Sequence, residues 1–279
     1  MYGTLYLCAT PIGNLGDITL RVIELLKECD LIAAEDTRNT LKLLNHFGID
    51  TPMTSYHEHN KLSKGPVLIE KLKEGKNIAL VTDAGMPGIS DPGEDMARLC
   101  REEGIPVTVA PGASAVVTAL VLSGMPARRF VFEGFIPTDK KEAAQVLSRL
   151  ERETRTTVFY EAPHRLTDTL KALLKAAGNR EAACVREITK KYEEVKKDSL
   201  ENLLKFYSEN APKGEFVIIV GGADEEELRR EEIASWESIS LEEHMKRYTD
   251  SGMSEKDAMK QVAKDRGVSK REIYAQLKG

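Results

Sequence analysis

The chain has 279 residues, 41% of them hydrophobic, with 30% charged residues of both signs and a net charge of −5. That length can bury a substantial core and suits two domains, and the mixed charge excludes a global basic field, so any RNA contact must use a local patch. Cys8, Cys29, Cys100 and Cys184 are widely spaced and no apolar run reaches the ~20 residues of a membrane span, so a soluble protein of the reducing cytoplasm is expected.

Short apolar runs of β character alternate with stretches of helical period. Strand Leu5 to Ala9 precedes helix 18–28, Leu31 to Ala34 precedes helix 38–47, Ile78 to Val81 precedes helix 92–103, and Val107 to Val109 precedes helix 113–123. This is the βαβ rhythm of a mostly parallel sheet. Asp17 is the expected N-cap of the first helix, and Gly48, Gly75 and Gly104 stand where a left-handed residue ends a helix. The second half continues with strand Phe130 to Phe132, helix 140–152, strand Thr157 to Tyr160, helix 163–177, strand Ala182 to Val185, helix 199–208 and strand Phe216 to Val220. Phe130, Phe132 and Phe135 read as core rather than as a base-stacking platform.

Residues 224–232, "DEEELRREE", read as a solvated linker or helix face. Three capping boxes follow, Ser240-x-x-Glu243, Ser254-x-x-Asp257 and Ser269-x-x-Glu272, and predict three short helices. The last two have the spacing of a helix-turn-helix, and residues 254–279 carry seven Lys or Arg against four Asp or Glu. A nucleic-acid contact and a solvated bundle both fit. The expected organisation is two αβα domains, 1–118 and 119–228, with a linker and small helical domain at 229–279.

Three loops leave strand ends rich in Gly, Pro and small residues: "ATPIGNLGDIT" (9–19), "VTDAGMPGISDPG" (81–93) and "VAPGASA" (109–115). Strand carboxyl ends are where open α/β sheets bind ligands. In the second loop Gly85 and Gly88 allow close backbone approach, while Asp91 and Pro92 start a helix. None of the loops is a G-x-G-x-x-G or a P-loop, which points away from dinucleotides and ATP and towards an uncharged or zwitterionic nucleoside-like ligand.

Other charged stretches carry open alternatives. Glu35, Asp36, Thr37 and Arg38 face the same edge, and Asp36 either caps a helix or takes part in chemistry. His57 and His59 lack a third ligand in reach, so a metal is not expected; an RNA contact or a surface pair is. His164 and Arg165 sit unfavourably for a helix dipole and suggest either a phosphate site or a domain-interface ion pair. Arg186, Glu187, Lys190 and Glu194 lie close together, where Lys190 either stabilises an oxyanion, holds a phosphate, or belongs to an exposed ion-pair network.

"TPIGNLGDIT", "AEDTRNT", "TDAGMPGISDPG", "APGASA", "FEGFIP", "FYEAPHR", "REITKKYEE" and "KGEFVIIV" together resemble the ordered motifs of the ribosomal RNA small subunit methyltransferase I family. This is a branch of the tetrapyrrole methylase (class III) superfamily. The resemblance runs from about residue 3 to 221, and the C-terminal helices resemble the family's helix-turn-helix addition. A G-D-P step of the tetrapyrrole-using branches is replaced here by Asp83-Ala-Gly-Met-Pro.

The resemblance implies S-adenosylmethionine, without a metal, held between two αβα domains of a homodimer. It also implies methylation of the ribose 2′-oxygen of a cytidine in small-subunit (16S) ribosomal RNA or the 30S subunit. Carried over by motif, Asp83, Ala84, Gly85, Ile89, Ser114 and Ala115 would line the donor, with Tyr160, Arg186, Glu215 and Phe216 from the second domain. Asp36, Lys190 and Glu187 are the candidates for chemistry. Arg38, His57, His59, His164, Arg165, Lys270 and Arg271 are the candidates for RNA contact. A small-acceptor methyltransferase of tetrapyrrole type and a non-catalytic RNA-binding module are the competing readings.

Overall fold

The computed structural model of the chain describes residues 1–278. Strands β1 (Leu5–Cys8), β2 (Leu31–Ala34), β3 (Met53–Ser55), β4 (Ile78–Val81) and β5 (Val107–Ala110) form a parallel sheet in the order β3-β2-β4-β1-β5. β4 is buried at every residue, which explains its unbroken Ile-Ala-Leu-Val run: a strand covered on both faces has no polar face to alternate with. Helices α1 (Leu20–Glu28) and α2 (Thr37–Phe47) cover one face through Val22, Leu26 and Leu44. Helices α3 (Lys61–Lys73) and α4 (Gly93–Glu102) cover the other through Leu68, Leu72 and Met96. Each such buried aliphatic side chain stabilises the layer by roughly 1.5–3 kcal/mol.

The second sheet is mixed. Strands β6 (Phe130–Phe135), β7 (Thr156–Glu161), β8 (Glu181–Arg186), β9 (Glu194–Ser199) and β10 (Phe216–Val220) run in the order β6-β7-β10-β8-β9. β6 and β7 are parallel, and the other pairs antiparallel. α5 (Ala115–Ser123) packs Val116, Ala119 and Leu120 onto one face. α6 (Lys140–Leu150), α7 (Leu166–Ala177) and α8 (Leu200–Glu209) cover the other. Position 118 therefore lies inside a helix that belongs to the packing of the second sheet.

The C-terminal part folds as α9 (Glu225–Glu237), α10 (Leu241–Asp250), α11 (Glu255–Asp265) and α12 (Lys270–Lys278), around a separate small core of Met245, Ala258, Val262, Ala263 and Ile273. All three capping boxes place their serine as expected: Ser240, Ser254 and Ser269 hydroxyls accept from the amides of Glu243, Asp257 and Glu272 at 3.1, 3.2 and 3.3 Å. The 224–232 run opens α9, with Asp224 as its N-cap.

Three elements were not expected. β3 is only three residues long, α3 carries Gly65 and Pro66 in its sequence, and β9 reads Glu-Val-Lys-Lys-Asp-Ser because it is an edge strand with one covered side. Asp17 is not the cap of α1. It closes a short 3-10 turn, Leu15–Asp17, and Thr19 caps the helix by accepting from Val22.

Candidate functional site

The loops after β1, β2, β4 and β5 all emerge at the carboxyl edge of the parallel sheet. Thr10 and Gly85 exchange backbone hydrogen bonds of 2.9 and 3.1 Å, which ties the loop after β1 to the loop after β4. Asp91 does more than start a helix. Its carboxylate accepts from the amides of Gly88 at 2.9 Å, Ile89 at 3.0 Å and Gly93 at 2.8 Å, so one side chain holds both the loop and the first turn of α4. Gly85 and Gly88 both have positive φ, and so does Ser90 at 64°.

Between the two sheets lies a chamber of about 490 Å³. From the first domain Asp83, Ala84, Gly85 and Ile89 line it, and Ser114 and Ala115 line it at the start of α5. Tyr160, Glu187, Lys190, Glu215 and Phe216 line it from the second domain. Burial pushes the Tyr160 phenol up to about 12, so this ring stays neutral. Arg186 points elsewhere. Its guanidinium pairs with Glu194 and donates to the Lys213 carbonyl at 3.4 Å.

A second chamber of about 300 Å³ adjoins the first on the side of α2. Ile12, Thr82, Asp83, Ala84, Lys190 and Glu215 line both, and so form a waist between them. Charge is concentrated there. Lys190 Nζ lies 3.0 Å from Glu187 Oε1 and 3.9 Å from Glu215 Oε2.

Two glycines from opposite domains bring backbone against this pair. A Cβ on Gly13 would sit 2.6 Å from Lys190 Cγ and 3.0 Å from the Ile188 carbonyl oxygen, and one on Gly214 would sit 2.7 Å from Glu187 Cδ. Glu187 and Thr189 themselves have φ of 50° and 64°. Non-glycine residues in the left-handed region carry strain, and the segment that presents Lys190 is held in it by its surroundings.

Asp83 is fixed by the residues after β2. Its Oδ1 accepts from the Asp36 amide at 3.2 Å and its Oδ2 from Asn39 Nδ2 at 3.4 Å, while its own amide donates to Glu35 Oε2 at 3.3 Å. Burial, and after it the charges of Asp83 and Asp91, push the Glu35 carboxyl up. Asp36 caps α2. Its carboxylate accepts from the amide of Arg38 at 2.8 Å and from its guanidinium at 2.6 Å, and the bonds to Arg38 bring its pKa down to about 2. Its contact with the waist is made through the backbone, not the side chain.

The candidate RNA contacts are spread out. Arg38 is exposed in the first turn of α2, and His57 and His59 follow β3 at the same sheet edge with ring centroids 6.0 Å apart. His57 Nδ1 is buried without a hydrogen-bond partner. His164 is exposed, but Arg165 turns inward, donating to the Ile136 carbonyl at 2.7 Å and lying 3.6 Å from the fully buried Glu161. That ion pair is internal to the second domain. Lys270 and Arg271 are exposed on the first turn of α12. Among the described residues no group of three or more His, Cys, Asp or Glu could hold a metal, and no helix is long and apolar enough to cross a membrane.

Sequence reasoning placed Glu35 at the ligand edge without assigning it a task, and gave no role to Asn39 or Lys42. The last two line the second chamber from α2, and the only signal for them was an i, i+3 spacing on the helix that follows "AED". Chemically the larger chamber is acidic, with Glu35, Asp83, Glu187 and Glu215 against Lys190. Such a lining repels phosphates and suits a ligand with net positive charge.

A family profile described as Tetrapyrrole (Corrin/Porphyrin) Methylases matches residues 4–204. Among curated proteins, the chain is 53% identical over 272 residues to the ribosomal RNA small subunit methyltransferase I of Halalkalibacterium halodurans, covering 98% of this chain and 93% of that protein. It is 48% identical to the protein of the same name from Bacillus subtilis, with the same coverage. Among solved structures, a uroporphyrin-III-C-methyltransferase from Thermus thermophilus superposes with a TM-score of 0.57 at 21% identity, covering 78% of this chain and 94% of that one. A diphthine synthase superposes with a TM-score of 0.60 at 17% identity, covering 78% and 90%. At these identities the two structures share the fold. The chain belongs to the ribosomal RNA small subunit methyltransferase I family, within the tetrapyrrole methylases.

Proposed function

We propose that this chain transfers a methyl group from S-adenosylmethionine to the ribose 2′-hydroxyl of a cytidine in small-subunit ribosomal RNA. The observation that carries the reading is the pair of chambers joined at a charged waist, which gives a donor and an acceptor one meeting point. The names of the relatives support the substrate. The acidic lining of the larger chamber supports the donor, whose sulfonium and ammonium outweigh its carboxylate. Asp83, Ala84, Gly85, Ile89, Ser114 and Ala115 would hold it from one domain, and Tyr160, Glu215 and Phe216 from the other.

When bound, S-adenosylmethionine supplies an electrophilic methyl group that leaves a neutral thioether behind. What the protein must add is alignment, which alone is worth on the order of 7–11 kcal/mol, and help for a weakly nucleophilic hydroxyl. Lys190 stands at the waist to stabilise the oxygen as its proton leaves, with Glu187 orienting the ammonium. Asp83 is the fixed carboxylate there that can accept the proton, and Asp36 acts through its backbone by holding Asp83. Arg38, His57 and His59 flank the same edge for the RNA strand; His164, Lys270 and Arg271 are exposed farther contacts, and Arg165 serves structure.

A homodimer fits the outer face of α5, where Val117, Val121 and Leu122 are 53%, 71% and 39% exposed on the helix whose first residues line the donor chamber. A ribosomal substrate would place the protein in the cytoplasm. The test is to incubate the protein with labelled S-adenosylmethionine and small ribosomal subunits, then map the label. One cytidine labelled on its ribose, and a loss of about 10²-fold or more in kcat for Lys190→Ala, is the expected result. Label on a base, or no label, refutes the reading.

A further inference from the structure

We infer that the smaller chamber seats the acceptor nucleoside, a nucleotide turned out of an RNA strand with its sugar at the waist and its base between α2 and the first loop. The inference rests on the proposed ribose methylation and adds the subsite that such a reaction needs. Of the RNA contacts expected from sequence, Arg38, His57, His59, His164, Arg165, Lys270 and Arg271, none lines this chamber.

Its size comes first. About 300 Å³ is at the low end of small-ligand pockets, room for one nucleoside and not for a paired strand, so a target base must leave its stack to enter. The position fixes which part goes where. The chamber meets the donor side at the residues that line both, so the reacting hydroxyl, and with it the ribose, has to lie beside Asp83 and Lys190.

The remaining wall divides by chemistry. Pro11 and Leu15 of the first loop give an apolar surface, with Leu15 40% exposed, on which a base face can lie. Across from them, the Asn39 amide offers a donor and an acceptor to a base edge, and Lys42 offers a cation for phosphate. Both side chains are held weakly. Lys42 Nζ lies 3.4 Å from Asn39 Oδ1, and Asn39 Nδ2 lies 3.4 Å from Asp83 Oδ2, long bonds that a ligand can exchange for its own. The acidic larger chamber leaves an RNA phosphate no place on the donor side, while the cations of the smaller one are Lys42 and Lys190.

Asn39 and Lys42 are exposed helix positions, so their replacement leaves the fold intact. The experiment measures methyl transfer to small ribosomal subunits, and S-adenosylmethionine affinity by calorimetry, for the wild type, Asn39→Ala, Lys42→Ala and Leu15→Trp, which fills the chamber from an exposed site. The expected result is a KM for RNA raised about tenfold or more in the two alanine variants, one lost base or phosphate contact each. Lys42→Ala should also flatten the salt dependence of RNA binding by about one phosphate. Leu15→Trp should abolish transfer, and Leu15→Trp and Lys42→Ala, neither of which touches Asp83, should keep the wild-type donor affinity.

Normal KM in all three variants, with the wild type labelling ribose, overturns the subsite and leaves the proposed reaction standing. Equal loss of donor affinity likewise overturns it, because the residues would then serve the donor. If the wild type labels no ribose, the reaction and the subsite fall together.

Discussion

Gly13 shows how the waist is built at the level of single atoms. It has no side chain because Lys190 Cγ and the Ile188 carbonyl occupy the space, so the first loop of one domain packs directly on the segment of the other that carries Lys190. Gly13→Ala must push the lysine aside, and a displacement near 1 Å at a reacting centre costs about 10²-fold. Single-turnover methyl transfer should fall by that order while calorimetric affinity for S-adenosylmethionine stays within a few-fold; an unchanged rate would show that Lys190 is not placed by this contact. The motif "TPIGNLG" marked the loop in the sequence, but not this role. The partner lies 177 positions away, and no local pattern carries such a pairing. Asp36 makes the same point from the other side. Its type and place before a helix left cap and chemistry open, and only the distances to Arg38 show where its carboxylate is engaged.

Elements were more legible than atoms, wherever their sequence carried a periodic pattern or a cap. The βαβ succession through Val109 and the three serine boxes of the C-terminal bundle were readable, whereas β9 was not, since an edge strand need not alternate. The bundle also holds a network that no motif announced. His244 is fully buried, stacked on Trp236 with ring centroids 4.0 Å apart; its Nδ1 accepts from Arg266 Nε at 3.1 Å and its Nε2 lies 3.2 Å from Asp265 Oδ2. Burial, with a further contribution from Arg266, pushes its pKa below the ordinary 6.5. A histidine base with a lowered folded pKa adds stability that is whole above the unfolded value and is lost as pH falls through the folded one. The bundle should therefore loosen in mild acid. Trp236 is the chain's one tryptophan, so its emission reports the event directly. Its spectrum should shift as the ring is exposed on titration from about pH 8 to 5, with a midpoint below 6.5, and His244→Phe should remove the transition. A flat emission over that range would contradict the linkage.

For the molecule as a whole, the sequence showed two αβα units and the strand-end loops that line the cleft, because strand periodicity and Gly/Pro punctuation are local. It did not show that the cleft has two chambers. That division arises where α2, the first loop and the loop after β4 meet Lys190 across the domain boundary, a matter of tertiary placement alone. The motifs of the resemblance include the loops that line the larger chamber, and Asn39 and Lys42 remained hidden because they sit on an exposed helix face like any solvated pair. On the proposed reading, the same arrangement would let an acidic donor pocket serve RNA methylation by a chain of net charge −5, with the polyanion kept to one side of the waist.

A crystal structure with S-adenosylmethionine bound tests the division most directly. The donor should fill the larger chamber, with its methyl group at the waist beside Asp83 and Lys190 and facing the smaller chamber. A methyl group directed to solvent or to the second-domain wall at Tyr160 would contradict it.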